Sequence, residues 1–225
     1  MKVLELFAGT RSIGKAFEAH GHEVYSVEWD RSFERIDWYG DIGELTADMV
    51  IEAFGVPDVI WASPDCSTFS IAAISHHRKR ATDGSLEPTS EYARFCDAVD
   101  IHMLAMIDEL LARGTKYYFI ENPRGGMRKM RWMKDRPRYT VSYCTYGDTR
   151  MKPTDIWTNH TNPRFRPMCR NGDDCHERAP RGSRTGTQGL KGSKERSRIP
   201  QMFCEHIVDI CEHPDEKGLQ MRFEI

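Results

Sequence analysis

No stretch of this 225-residue sequence approaches the roughly 18 consecutive apolar residues that a membrane-spanning helix needs. The opening MKVLELFAG runs into a strand pattern with no cleavable leader before it, so a soluble, cytoplasmic protein without membrane partners is expected. Cysteine is scarce: seven residues, an odd number at irregular spacing, fit reduced thiols better than a disulfide framework. No internal repeat is visible, and nothing marks an obligate protein partner. An excess of charge of one sign is also missing, since 32 Lys and Arg face 34 Asp and Glu for a net −2. What is present, 39% hydrophobic and 29% charged residues, suffices for one α/β domain with irregular insertions.

Charge is balanced overall but segregated locally. HHRKR (76–80), RGGMRKMRWMKDRPR (124–138) and RAPRGSRTGTQGLKGSKERSR (178–198) together hold 17 Lys or Arg and two acids. The rest of the chain has 15 basic and 32 acidic residues. Runs of this kind are either solvated loops or the footprint of a phosphate backbone. Three of them, one with Trp132 inside it and another spaced by Gly and Ser, favour a nucleic-acid surface.

Strand and helix patterns alternate. VLELF (3–7), EVYSVEW (23–29), DVIWAS (58–63) and KYYFIEN (116–122) are short apolar runs rich in β-branched and aromatic residues. Between them lie a helix closed by Gly21, a second with Thr46 as cap and Gly55 as stop, and a long one over 90–114 ending at Gly114. In the long helix Ala98, Ile101, Leu104, Ala105, Ile107, Leu111 and Ala112 recur at helical spacing and are expected to form its apolar face. The alternation predicts a doubly wound, mostly parallel sheet of Rossmann-like type. VSYCTY (141–146) and DIWTN (155–159) suggest two further strands pairing antiparallel at its edge, and 199–211 returns to a helical pattern.

Ligands of such sheets bind beyond the carboxyl ends of the strands. FAGTRSIG, SPDCSTFS and ENPRGG all follow strands, which can bring Cys66 and Glu121 to one cleft across 55 positions. A strand-end cysteine on its own is more often packing. The matching glutamate turns the reading toward a nucleophile.

Here the sequence resembles the DNA cytosine-C5 methyltransferases. Cys66, Phe69 and Ser70 sit as in that family's Pro-Cys-Gln-x-Phe-Ser signature, and Glu121-Asn122-Pro123 is similar to its Glu-Asn-Val motif. LFAGTRSIG (6–14) resembles the Phe-x-Gly cofactor motif, Glu28-Trp29 the acidic ribose-binding position, and Asp41-Ile42 the aspartate that reads the adenine amino group. Arg150-Met151-Lys152 resembles its Arg-x-Arg pair, and IPQMFCEHI its last motif. The matches come in the family's order over 1–159 and about 197–211.

The resemblance implies S-adenosylmethionine as methyl donor, held by Phe7, Ala8, Gly9, Thr10, Glu28, Trp29, Asp41, Ile42 and Pro64. It implies that the Cys66 thiolate attacks C6 of cytosine in DNA while Glu121 protonates or hydrogen-bonds N3, with Arg150 and Lys152 orienting the flipped nucleotide. The expected organisation is a catalytic core (1–159), a basic insertion serving as minimal DNA reader (160–198) and a C-terminal helix and tail packing back (199–225), as in a compact methylase of restriction-modification or phage type. Other readings are C5 methylation of RNA or a free nucleotide, exocyclic-amine methylation suggested by Ser63-Pro64, and a binding module without turnover.

Four positions depart from the family pattern. Asp65 replaces Pro before the cysteine, Ser67 replaces Gln after it, Lys152 replaces the second Arg, and Arg11 stands where a second Gly is usual. A carboxylate beside a thiol raises its pKa from about 8.5. Asp65 is therefore expected to point away, toward backbone amides or a basic loop. In the insertion, Cys169, Cys175 and His176 are candidate zinc ligands, with Cys144 or His160 as the fourth, or else ordinary loop residues; the metal is left open.

Overall fold

The structure is a computed structural model that describes residues 1–177, 195 and 198–216. Most of the basic run 178–198, and the tail from 217, lie outside the described residues.

A seven-stranded sheet is built from β1 (Lys2–Leu6), β2 (Glu23–Glu28), β3 (Trp38–Tyr39), β4 (Val59–Ala62), β7 (Tyr117–Pro123), β8 (Arg138–Ser142) and β9 (Pro153–Thr158), in the order β3-β2-β1-β4-β7-β9-β8. Strands β3, β2, β1, β4 and β7 run parallel; β9 pairs antiparallel with both β7 and β8. In register, Ala62 of β4 faces Ile120 of β7, and Glu121 faces Ile156 of β9. The doubly wound, mostly parallel sheet expected from the alternation is the one observed. Its order reverses between β1 and β4, which places the binding crevice at their carboxyl ends.

Helices cover both faces. On one, α2 (Ala47–Phe54) and α4 (Glu91–Ala112) pack Val50, Met103, Leu104 and Ile107 against Leu4, Leu6 and Ile60. On the other, α1 (Ser12–Ala19) and α5 (Gln201–Glu212) pack Phe17, Phe203 and Ile207 against Val3, Val59, Trp61 and Phe119. The caps follow the sequence signals. Thr46 accepts the Met49 amide at 3.2 Å, and Gly55 and Gly114 leave their helices at φ 88° and 116°.

Three expectations need correction. The stretch 143–146 is a single 3-10 turn, and the strand before it ends at Ser142. A short helix, α3 (Ile74–His77), and a hairpin of β5 (Arg78–Arg80) with β6 (Leu86–Pro88) follow the cysteine loop, where no element was foreseen. The inner face of α4 is also displaced from the expected one: Ala98, Ile101, Ala105 and Ala112 are exposed, whereas Ala93, Cys96, Asp97, Asp100, Met103, Ile107 and Leu110 are buried. Two carboxylates thus sit on a core-facing stripe. Asp97 is tolerated there because it meets a buried arginine; burial, and then the Asp97 charge, push the Asp100 pKa well above the usual carboxylate range.

Candidate active site

The cysteine loop leaves β4 and is braced from three directions. The Pro64 carbonyl accepts the Asn122 side-chain amide at 3.0 Å, and the Phe69 carbonyl accepts the Gly126 amide at 2.7 Å. A Cβ at Gly125 would fall 2.6 Å from that same carbonyl, so the ENPRGG stretch must be glycine-rich to lie against the loop. From below, Arg78 donates to the Thr68 carbonyl at 3.1 Å and hydroxyl at 2.8 Å, stacks on the Phe69 ring at 4.1 Å, and pairs with Asp97 at 2.7 Å. The loop is therefore fixed to β7 and α4. Cys66 stands at its crest, exposed.

Glu121 lies beside it on β7, buried. Its Oε1 accepts the Tyr143 hydroxyl at 3.0 Å. Burial pushes its pKa up, against the opposing Lys152 charge and the hydroxyls of Tyr143 and Ser63. The Cys66 thiol is pushed up to about 11, by desolvation, then by Glu121 and by Asp65, while Lys152 opposes. A carboxyl whose pKa is raised by burial thus stands next to a thiol whose pKa is raised in part by that carboxylate's charge.

Lys152 is the cation that acts on both groups, with its ammonium 4.8 Å from the centre of the Tyr143 ring. Arg150 is placed differently from expectation. It is buried, and its Nε and Nη2 bond Asp148 at 2.9 and 2.6 Å, so its fork is engaged by a carboxylate two residues away. Its Nη1 has no partner among the described residues.

Asp65 points away from the thiol, as its neighbourhood required. One oxygen accepts the Ser67 amide and closes the turn, and the other accepts the Tyr92 hydroxyl of α4 at 2.7 Å. Among the described residues the partners are a backbone amide and a phenol, with no basic side chain. The charge still reaches Cys66. Asp65→Asn keeps an oxygen for the Ser67 amide and removes that charge. The midpoint for alkylation of Cys66 by iodoacetamide, followed on the Cys66 peptide by mass spectrometry, is expected to move down by roughly half a pH unit to one. An unchanged midpoint would show that Asp65 is screened from the thiol.

Beyond the carboxyl end of β1, the turn has left-handed backbone at Phe7, Gly9 and Arg11, with φ 54°, 48° and 56°. Positive φ at a phenylalanine is costly and clusters at functional sites. Glu28 holds this turn: Oε2 accepts the Gly9 amide at 2.9 Å, while Oε1 accepts the amides of Trp29 and Asp30 at 3.0 Å each. Three of the carboxylate's roughly four acceptor positions are therefore taken by backbone. The Trp29 indole beside it is 73% exposed. Asp41 caps the 3-10 turn Ile42–Glu44 through the Gly43 amide at 2.8 Å, and Ile42 is buried beneath. Ala8 donates to the Val27 carbonyl at 3.0 Å, and the Thr10 and Ser12 hydroxyls meet at 3.0 Å.

The basic runs are partly structural. Arg78 is fully buried, Arg128 pairs with the buried Asp155, Arg131 with Asp83 and Glu87, and Arg136 with Asp108. Arg80, Arg124, Lys129, Lys134 and Arg138 make no ion pair among the described residues. Sequence reasoning missed Tyr143 and Arg78, and singled out Asn122 only as a motif position without its bond to the Pro64 carbonyl. Tyr143 was hidden inside an apparent strand, and Arg78 inside an apparent phosphate-binding run.

No family model matches the chain. Over 231 residues it is 29% identical to a protein of Frog virus 3 (isolate Goorha) described as "Probable DNA (cytosine-5)-methyltransferase", an alignment taking in 94% of this chain and 100% of the relative. Among solved structures, a Spodoptera frugiperda DNMT2 variant aligns over 70% of this chain and 49% of its own, with 18% identity and a TM-score of 0.47. An S. pombe Dnmt2 methyltransferase aligns over 70% and 48%, with 12% identity and a TM-score of 0.45. The chain thus spans about half the length of these solved proteins and the full length of the viral one.

Proposed function

We propose that this chain, a relative of the viral cytosine-C5 methyltransferase, transfers a methyl group to C5 of cytosine in DNA by way of a covalent bond to Cys66. The observation that carries the reading is the joining of the two loops: the Asn122 to Pro64 bond sets Cys66 beside Glu121, with Lys152 facing both.

The residues at the crevice suit S-adenosylmethionine, which supplies an electrophilic methyl on a sulfonium. The left-handed FAG turn lets backbone approach the amino-acid portion, Glu28 retains one acceptor position for a ribose hydroxyl, and the exposed Trp29 indole offers a face to adenine. Asp41 is assigned to the adenine amino group, and Ile42, Thr10 and Pro64 to the remaining cofactor contacts, on the family resemblance.

The chemistry then follows from the chain's own groups. The thiolate of Cys66 adds to C6 as Glu121 gives its proton to N3, which makes C5 an enamine carbon able to take the methyl group. Water takes the C5 proton, its electron pair forms the C5–C6 double bond and expels the Cys66 thiolate, and N3 returns its proton to Glu121. Lys152 steadies the anionic charge at each stage. The cytosine must leave the duplex stack to reach Cys66. Ile71, 77% exposed just past the cysteine loop, gives this rim an apolar contact for the opened stack. Arg80, Arg124, Lys129, Lys134 and Arg138, without an ion pair among the described residues, are assigned to the phosphate backbone.

The test is incubation with labelled S-adenosylmethionine and DNA containing 5-fluorocytosine. The fluorine blocks elimination, so a stable adduct mapping to the Cys66 peptide is expected. Methyl transfer to ordinary DNA with no adduct on the fluorinated substrate points instead to the exocyclic amine; adduct formation only on the matching RNA reassigns the substrate.

A further inference from the structure

We infer that Cys144, Cys169, Cys175 and His176 bind a structural zinc ion that roots the basic insertion next to the active site. The three sulfurs and the His176 Nδ1 all lie within 4.8 Å of one another. Sulfur to sulfur distances are 3.1 Å for Cys144 to Cys169 and 3.6 Å for Cys144 to Cys175; Nδ1 stands 3.7 Å from the Cys169 sulfur and 3.4 Å from that of Cys175. A tetrahedron with zinc bonds of normal length has sulfur to sulfur edges of about 3.8 Å and sulfur to nitrogen edges of about 3.6 Å. The four atoms already approximate that cage. Three thiols and one imidazole favour zinc over harder cations.

The local backbone converges the ligands without regular structure to explain it. A tight turn over 170–173, with Asp173 donating to the Arg170 carbonyl at 3.1 Å and Gly172 at φ 103°, folds Cys175 and His176 back beside Cys169. Cys144 comes from the 3-10 turn that ends at Gly147, φ 86°. His160, the alternative fourth ligand, is committed elsewhere: Nε2 meets the Ile210 carbonyl at 3.0 Å and Nδ1 accepts the Asn162 amide at 3.1 Å. Thiols hydrogen-bond weakly, so neutral thiols alone give this loop little reason to close. Binding replaces the three thiol protons with one divalent ion, and such an ion is a strong staple for a segment lacking its own core.

The location gives the ion a purpose. Cys144 directly follows Tyr143, whose hydroxyl bonds Glu121, and Glu177 donates to the Thr149 carbonyl at 2.8 Å, next to Arg150. The insertion therefore enters and leaves the cage alongside the segment that carries the catalytic cation.

Metal analysis of the full chain, expressed with zinc and purified without chelator, is expected to give one zinc per chain. Cys175→Ser and His176→Ala should fall well below that, and Cys66→Ser should retain it, so metal content is read independently of methyl transfer. Cobalt-substituted protein should show the intense visible bands of tetrahedral thiolate coordination. A metal-free wild type, full zinc in Cys175→Ser, or a Cys144 to Cys169 disulfide in place of metal overturns the assignment.

Discussion

On the proposed mechanism, Cys66→Ala is expected to lower methyl transfer by about 10⁴-fold or more while leaving the fold and S-adenosylmethionine binding in place. The size of the loss follows from the chemistry: without the sulfur no bond forms at C6, and C5 of an intact cytosine is a poor nucleophile. The stability cost is small because the side chain is exposed and the loop is held by Arg78, Asn122 and Gly126. Single-turnover transfer of labelled methyl, with thermal unfolding as the control for fold, checks both halves. Full transfer by the alanine variant would move the chemistry to the exocyclic amine, which needs no thiol.

Glu121→Gln separates two quantities that normally move together. The ionised form of Glu121 raises the pKa of the Cys66 thiol, so an uncharged amide in its place lowers that pKa and increases the thiolate fraction. Alkylation of Cys66 at neutral pH therefore speeds up. Methyl transfer nevertheless falls, by roughly 10²- to 10⁴-fold, because the amide has no proton to give N3. The pH profile changes with it. In the wild type the acid must be protonated, so activity is lost as pH rises through the Glu121 pKa; because that pKa is raised, the loss comes above the usual carboxylate range. The glutamine variant lacks this alkaline limb. Slower alkylation together with slower transfer would indicate a disturbed loop and not a missing acid.

The parts visible from sequence were those set by local rules. Alternating apolar runs, the Thr46 cap and the glycines at 55 and 114 depend on neighbours in the chain, and they placed Cys66 and Glu121 at adjoining strand ends. What escaped depends on partners far away. The stripe of α4 through Asp97 and Asp100 is buried because Arg78 reaches it from the hairpin, and aliphatic periodicity alone selects Ala98 and Ile101, which face solvent. For the same reason Arg78 and Arg128 looked like phosphate contacts although they neutralise buried carboxylates. The Glu28 carboxylate looked wholly available for a ribose; its engagement by the Gly9, Trp29 and Asp30 amides is a property of the folded turn. Asp65, the residue the family pattern does not contain, is explained by Tyr92, which lies 27 positions on.

The pairing of β4 with β7 has a further consequence. Ala62 opposite Ile120 acts as a gauge: one residue further along each strand come Ser63 and Glu121, and the nucleophile follows three residues later. A slip of one residue would turn Glu121 to the other face of the sheet and present Ile120 or Asn122 in its place. Pairing of Glu121 with Ile156 on β9 measures the same position from the opposite side. The spacing between acid and thiol is thus specified twice by main-chain alignment before any side chain in the crevice contributes.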